Sequence, residues 1–261
     1  LDADELGVLV ERLIAPTGRS IDPLRPWVDA HLADGSRVTV VAPPIAVDGP
    51  YVAIRRFVLE HPTLDRFGPA SLVAQLERLV GDGATILVSG GTGAGKTTLL
   101  NGLAGAITGR ERIETVEDVA ELRLGHAHVV RLECRPAGAE GVGAVELRDL
   151  VRTALRMRPD RLVVGEVRGP EAFDLLQAFN TGHDGGMSTI HANSPVDALR
   201  RLASLVAAAG TGIPHGVIVE QVAAAVDVVV QVARTGAGAR QVTSVVEIAD
   251  SGAPTVVWGV P

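Results

Sequence analysis

Lys96 is the only lysine among 24 basic residues, and it sits near the end of the run Gly90-Gly91-Thr92-Gly93-Ala94-Gly95-Lys96-Thr97. Arginine serves every other cationic position, so position 96 calls for a compact ammonium on a flexible stem. The run matches the phosphate-binding pattern G-x-x-x-x-G-K-[ST]. The chain holds 30 Gly and 25 Ser plus Thr in 261 residues. With independent residues, such a match beside a given lysine arises by chance about once in 800.

The flanks agree with the run. Residues 84–89 are short, apolar and β-rich, which predicts a buried strand, and residues 97–107 predict the helix that follows. Glycines let the backbone N–H groups turn inward onto phosphate oxygens. The helix N-terminus adds partial positive charge. Lys96 reaches the β- and γ-phosphates, and the Thr97 hydroxyl is placed to ligate Mg²⁺, the expected cofactor. The candidate ATP-binding residues are Gly90, Gly91, Thr92, Gly93, Ala94, Gly95, Lys96, Thr97 and Thr98.

From about residue 71 strands and helices alternate. Strands are predicted at 84–89, 112–117, 128–133, 161–165, 187–191, 227–233 and 242–248. Helices are predicted at 71–80, 97–107, 147–157, 170–179, 195–208 and 215–225. This order predicts an α/β fold with a mostly parallel central sheet covered by helices. Residues 1–60 differ. A helix at 2–14 and strands at 27–32, 37–41 and 51–57 make a small α+β module, expected to be truncated upstream. Pro62 and Pro69 punctuate an expected linker at 61–70, leaving 71–261 as the second domain.

Composition removes several classes. Hydrophobic residues are 46% and charged residues 21%, which excludes a disordered chain. The formal charge of -7 argues against wrapping nucleic acid by bulk positive charge, so no nucleic-acid partner is expected. Cys134 is alone and forms no internal disulfide, which points to a reducing compartment. The stretch Leu202–Val219 lacks charge but is broken by Gly210, Gly212, Pro214 and Gly216, so no membrane span is expected.

Hydrolysis needs a group that aims a water molecule. Glu166 ends the apolar run Leu162-Val163-Val164-Gly165-Glu166 and is the candidate base, with a share in holding Mg²⁺. Glu117, Asp118 and Glu121 follow another predicted strand. They are read either as carboxylates that hold Mg²⁺ or polarise water, Asp118 being the metal candidate, or as acids at a helix start. His183 and His191 flank a third strand, His191 as a γ-phosphate sensor and His183 as the residue that holds its loop. Arg148, Arg152 and Arg156 share a helix face, read as solvated or as a subunit contact. Arg55 and Arg56 are candidates to meet a nucleotide from the first module.

These stretches together resemble the secretion ATPases of type II and type IV systems. They are 89–98, Thr115-Val116-Glu117-Asp118, 148–152, 155–161, 164–169 and the histidine-bearing stretch 181–193. Within that family they resemble the CpaF-like ATPases of tight-adherence (Flp) pili. The resemblance implies a cytoplasmic ATPase that assembles as a homohexamer and drives pilus assembly or protein export. It implies a RecA-like P-loop domain behind a smaller N-terminal domain, and an inner-membrane platform protein as partner. It also implies that Arg55 and Arg56 approach the nucleotide. Glu117, Asp118 and Glu121 fall on the family's acidic box, Gly165-Glu166 on its Walker B stretch, and His183 and His191 on its histidine box. Two alternatives stay open, a RecA-like DNA-handling ATPase and a nucleotide-binding regulator that does not hydrolyse.

Overall fold

Val10, Leu13 and Ile14 recur at helical spacing, and they form the inward face of α1 (Ala3–Ile14). That face covers a three-stranded antiparallel sheet of β1 (Trp27–His31), β2 (Arg37–Val41) and β3 (Tyr51–Arg55), in that order. Alternation decides which side packs. Val28, Ala30, Val38 and Val40 point at α1 and are buried with Val10 and Ile14. This is one of two compact units in the computed structural model, Leu1–Glu60 and His61–Pro261. The structure describes residues 3–56, 62–137, 142–236, 238–249 and 252–259. Asp2, Phe57 and His61, within the predicted first helix, third strand and linker, lie outside these.

The segment expected as a linker carries a 3-10 turn at Leu64–Phe67, whose two end residues are buried in the core of the second unit. Next come α2 (Ala70–Gly81), β4 (Ile86–Ser89), α3 (Lys96–Gly105), β5 (Ile113–Glu117) and β6 (Val129–Glu133). They are followed by α4 (Leu147–Arg156), β7 (Arg161–Val164), α5 (Glu171–Phe179), β8 (Met187–Ile190), α6 (Pro195–Ala208) and α7 (His215–Ala225). The chain closes on β9 (Val228–Arg234), β10 (Arg240–Ile248) and β11 (Pro254–Gly259).

These strands form one eight-stranded sheet in the order β11-β10-β9-β4-β8-β7-β5-β6. The six from β9 to β6 are parallel, and β10 and β11 are added antiparallel at one edge. β4, β7 and β8 are buried along their whole length, as central strands of a parallel sheet are, although Ser188 and Thr189 of β8 are polar. Leu87 faces α4 to α7, while Ile86 and Val88 face α2 and α3, so the sheet separates two aliphatic cores. Among the described residues no helix is long and apolar enough to cross a membrane.

β11 was not expected from the sequence. Pro254 and Gly259 bound a short run whose side chains are largely exposed, so neither burial nor alternation marks it.

Candidate functional site

Register brings the site together. Ser89 pairs with Ile190, and Val164 pairs with Ser188 and Val116. The residues just beyond these parallel strands therefore leave the same end of the sheet: Gly90, His191, Glu166 and Asp118. This is the carboxyl end, where open α/β sheets bind ligands.

The 90–97 loop starts from β4 and ends in α3. Gly95 is the N-cap of α3 with φ +100°, a backbone conformation that costs other residues strain. Gly90 has no room for a side chain, because a Cβ there would stand 2.4 Å from the carbonyl oxygen of Val232. Lys96 opens the helix and is buried. Its Nζ donates to the Gly91 carbonyl (3.1 Å), as the loop closes on its own lysine.

From Lys96 a chain of charge runs across the strand ends. The ammonium lies 3.3 Å from Nδ1 and 3.1 Å from Nε2 of His191. His191 Nε2 lies 2.8 Å from Oε1 of Glu166. The guanidinium of Arg168 donates to Oε2 of Glu166 and stands 3.7 Å from Asp118. Oε1 of Glu166 is shut from solvent and has no aligned hydrogen-bond donor. One oxygen of the candidate base is thus held, and the other is unsatisfied beside the glycine loop.

Burial lowers the Lys96 pKa, with Glu166 opposing and Arg168 adding to the shift. Burial also lowers that of His191, with Glu166 opposing and the cations Lys96, Arg168 and Arg201 adding. At neutral pH the imidazole is therefore uncharged.

Glu166 is positioned by its neighbours. The Thr189 hydroxyl donates to the Gly165 carbonyl (2.8 Å), and the Val167 N–H donates to the Thr189 carbonyl (2.9 Å). Downstream, the buried Glu171 carboxylate accepts the N–H groups of Arg168 (2.6 Å) and Gly169 (2.8 Å). The stretch carrying Glu166 and Arg168 is pinned at both ends.

Glu117 takes a different role from its exposed neighbour Asp118. It is buried, and its Oε1 accepts the N–H groups of Glu121 and Leu122, both at 3.0 Å. Its Oε2 has no partner. Burial raises its pKa to about 7 against the two backbone donors, which lower it. Glu117 packs on Gly165, where a Cβ would lie 3.1 Å from its Cγ. Glu121 is held here through its backbone.

Not every candidate converges. His183 lies in the turn that leads into β8 and His191 directly follows the strand, so the whole of β8 stands between them. The His183 Nδ1 is buried without a partner. Arg55 ends β3 and Arg56 follows it, both in the first unit. Arg148 and Arg152 are not a purely solvated face. Both donate through Nε to Asp174 on α5, at 2.7 and 2.8 Å. Reading one helix alone misses an acid 22 to 26 residues away.

Arg168, Thr189 and Glu171 were not singled out in the sequence. Arg168, two residues after Glu166, was visible as an adjacent opposite charge. Nothing local marks Thr189, whose role comes from strand pairing.

Among the described residues no group of three or more His, Cys, Asp or Glu gathers to cage a metal. Mg²⁺ bound with a nucleotide takes most of its ligands from phosphate and water, so one or two protein oxygens suffice.

The model of the family described as Type II/IV secretion system protein matches residues 5–251. A putative conjugal transfer protein of Mycobacterium tuberculosis (strain CDC 1551 / Oshkosh) is 45% identical over 258 residues, covering 93% of this chain and 72% of that protein. The type IV secretion system protein PtlH of Bordetella pertussis is 38% identical, covering 92% and 80%. Among solved structures, the VirB11 ATPase of the Brucella suis type IV secretion system, in complex with sulphate, superposes with a TM-score of 0.60. It is 29% identical and covers 94% of this chain and 80% of that one.

Proposed function

This chain belongs to the type II/IV secretion system protein family, and from that premise we propose that it is an ATPase that powers a secretion or pilus machine. The observation that carries the reading is the convergence of Lys96, His191 and Glu166 beside the glycine loop, with one buried Glu166 oxygen unsatisfied. Residues 90–98 cradle the phosphates. Lys96 neutralises the terminal ones, and Glu166 orients water for in-line attack. His191 joins the two and responds to the terminal phosphate. Glu117 and Glu121 shape the wall behind Glu166.

Mg²⁺ would be held by the Thr97 hydroxyl and Glu166, with Asp118 within reach through water. It would neutralise charge on the phosphate oxygens. The unsatisfied Glu166 oxygen and the hydroxyl in the first turn of α3 suit a hard cation.

The finer reading places the chain in the CpaF-like branch serving tight-adherence pili. It works as a homohexamer at the inner face of the cytoplasmic membrane, docked on a platform protein. Arg55 and Arg56 then meet a nucleotide in the ring, and His183 holds the loop before β8.

The test is steady-state ATP turnover. Lys96→Ala is expected to lose binding and turnover, and Glu166→Gln to retain ATP binding while turnover falls about a hundredfold or more. Parent-rate turnover by the Lys96 variant would refute the site. Turnover that rises with protein concentration supports the ring, and a flat response from a monomer removes it.

A further inference from the structure

Between β5 and β6 the chain crosses residues 118–128 without a helix or strand, so its backbone N–H groups need acceptors from elsewhere. Three successive ones find them on side chains. Those of Glu121 and Leu122 donate to Oε1 of Glu117, at the end of β5. That of Arg123 donates to Oδ1 of Asn101 (3.1 Å), on α3. The Leu122 side chain is fully buried in the same core as Leu99, Leu100 and Leu103 of α3. The loop that carries Asp118 and Glu121 is thus strung between the sheet and the helix that begins at Lys96.

Propensity alone does not account for Asn101. Asparagine is a poor residue for a helix interior, because its side chain competes for backbone groups. This one is only 9% exposed, inside a helix whose neighbouring buried residues are aliphatic. A buried carboxamide is costly unless it is hydrogen-bonded. Its oxygen meets a donor 22 residues further along the chain. Asn101 follows Lys96 by five residues, about 7.5 Å along the helix axis.

From this loop the contacts lead on to the candidate base. Asp118 stands 3.7 Å from the Arg168 guanidinium, which donates to Oε2 of Glu166. α3 therefore meets Glu166 by two routes. One runs from Lys96 through His191 to Oε1. The other runs from Asn101 through the loop, Asp118 and Arg168 to Oε2. Oε1 has no aligned donor, so the turn of the carboxylate is set from the Oε2 side.

We propose that Asn101 is a positioning residue for ATP hydrolysis. By tying the 118–124 loop to the phosphate helix, it keeps Asp118 and Arg168 where they orient Glu166. It lies beyond the glycine loop and acts only through the Arg123 backbone. The proposal rests on the ATPase reading of the site and adds a residue to it.

ATP turnover and amide hydrogen exchange of the whole chain test it together. Asn101→Ala removes the acceptor and keeps α3 helical, since alanine is the best helix former. It is expected to lower kcat about tenfold with KM within about threefold, because Lys96 still holds the phosphates while Glu166 is displaced. Asn101→Asp keeps an oxygen in the same place, and its kcat is expected within about threefold of the parent. Without nucleotide, the Arg123 amide should exchange about tenfold faster in the Ala variant, with the amides of α3 as protected as before. If the Ala variant does not fold, Asn101→Gln, whose oxygen is displaced by one bond, takes its place with the same expectations. Faster exchange at an unchanged kcat would make the bond structural only and overturn the proposal. So would an Asp variant as slow as the Ala variant. Either result beside an active parent leaves the ATPase reading intact, whereas a parent that turns over no ATP would remove that reading and the proposal with it.

Discussion

His191 Nε2 stands 2.8 Å from the Glu166 carboxylate while the same ring touches the Lys96 ammonium. A terminal phosphate that draws Lys96 toward itself changes what the ring faces, and so changes Glu166. His191→Ala is therefore expected to lower kcat about a hundredfold while KM changes less than about threefold, because Lys96 still holds the phosphates. His191 keeps its neutral form below its ordinary pKa of 6.5. Activity should then fall on acidification only below about pH 6.5, where the ring charges, and His191→Gln should remove that limb. A loss confined to KM would show that His191 only binds.

Glu117 makes stability depend on pH in the unusual direction. Its folded pKa is raised from 4.5 to about 7 by burial. Between these values the folded state holds a proton that the unfolded state releases, so stability falls as pH rises. The contribution is whole below about pH 4.5 and lost above about pH 7. Glu117→Gln keeps an acceptor for the two backbone donors and removes the charge. It should stabilise the chain by about 3 kcal/mol at pH 8.5 and by nothing measurable at pH 4.5. Thermal denaturation of both proteins across that range decides it. A difference that is constant with pH would mean that Glu117 is not buried as a neutral acid.

Thr189 holds the peptide before Glu166 by a buried bond to the Gly165 carbonyl. Thr189→Val keeps the shape and leaves that carbonyl unpaired. The expected cost is about 1–2 kcal/mol in chemical denaturation, together with a several-fold fall in kcat as Glu166 loses its backing. Stability that drops with kcat unchanged would make Thr189 a structural residue only.

The sequence made most of this unit legible because its signals were local. The loop at 90–97 carries its own glycines and lysine, and β4, β7 and β8 are buried runs bounded by turns. The position of Glu166 just past the end of β7 was legible because it ends such a run. What escaped depends on pairing across the chain. His183 and His191 look equivalent in sequence, one on each side of a strand, yet only the end that His191 follows is paired with Ser89, which leads into the glycine loop. Arg148 and Arg152 looked available until α5 supplied Asp174.

Asp174 itself gives the last prediction. Each of its oxygens accepts from a different arginine of α4, and its side chain is only 12% exposed. Arg148 and Arg152 are one turn apart, so their charges repel unless this carboxylate lies between them. Asp174→Ala leaves two cations facing each other over a half-buried helix contact. A bond to a charged partner supports about 2 kcal/mol, but Arg152 is 49% exposed and screened, so the expected loss is about 1–2 kcal/mol. Arg152→Ala alone should cost less than Arg148→Ala, whose side chain is 28% exposed. In a double-mutant cycle the Arg148–Asp174 coupling should exceed the Arg152–Asp174 coupling and persist better in 1 M salt, about ten times the ionic strength at which exposed pairs begin to be screened. Equal couplings that both vanish in salt would mean that α4 and α5 are held by their apolar faces alone, with Arg148 and Arg152 left available to a neighbouring subunit.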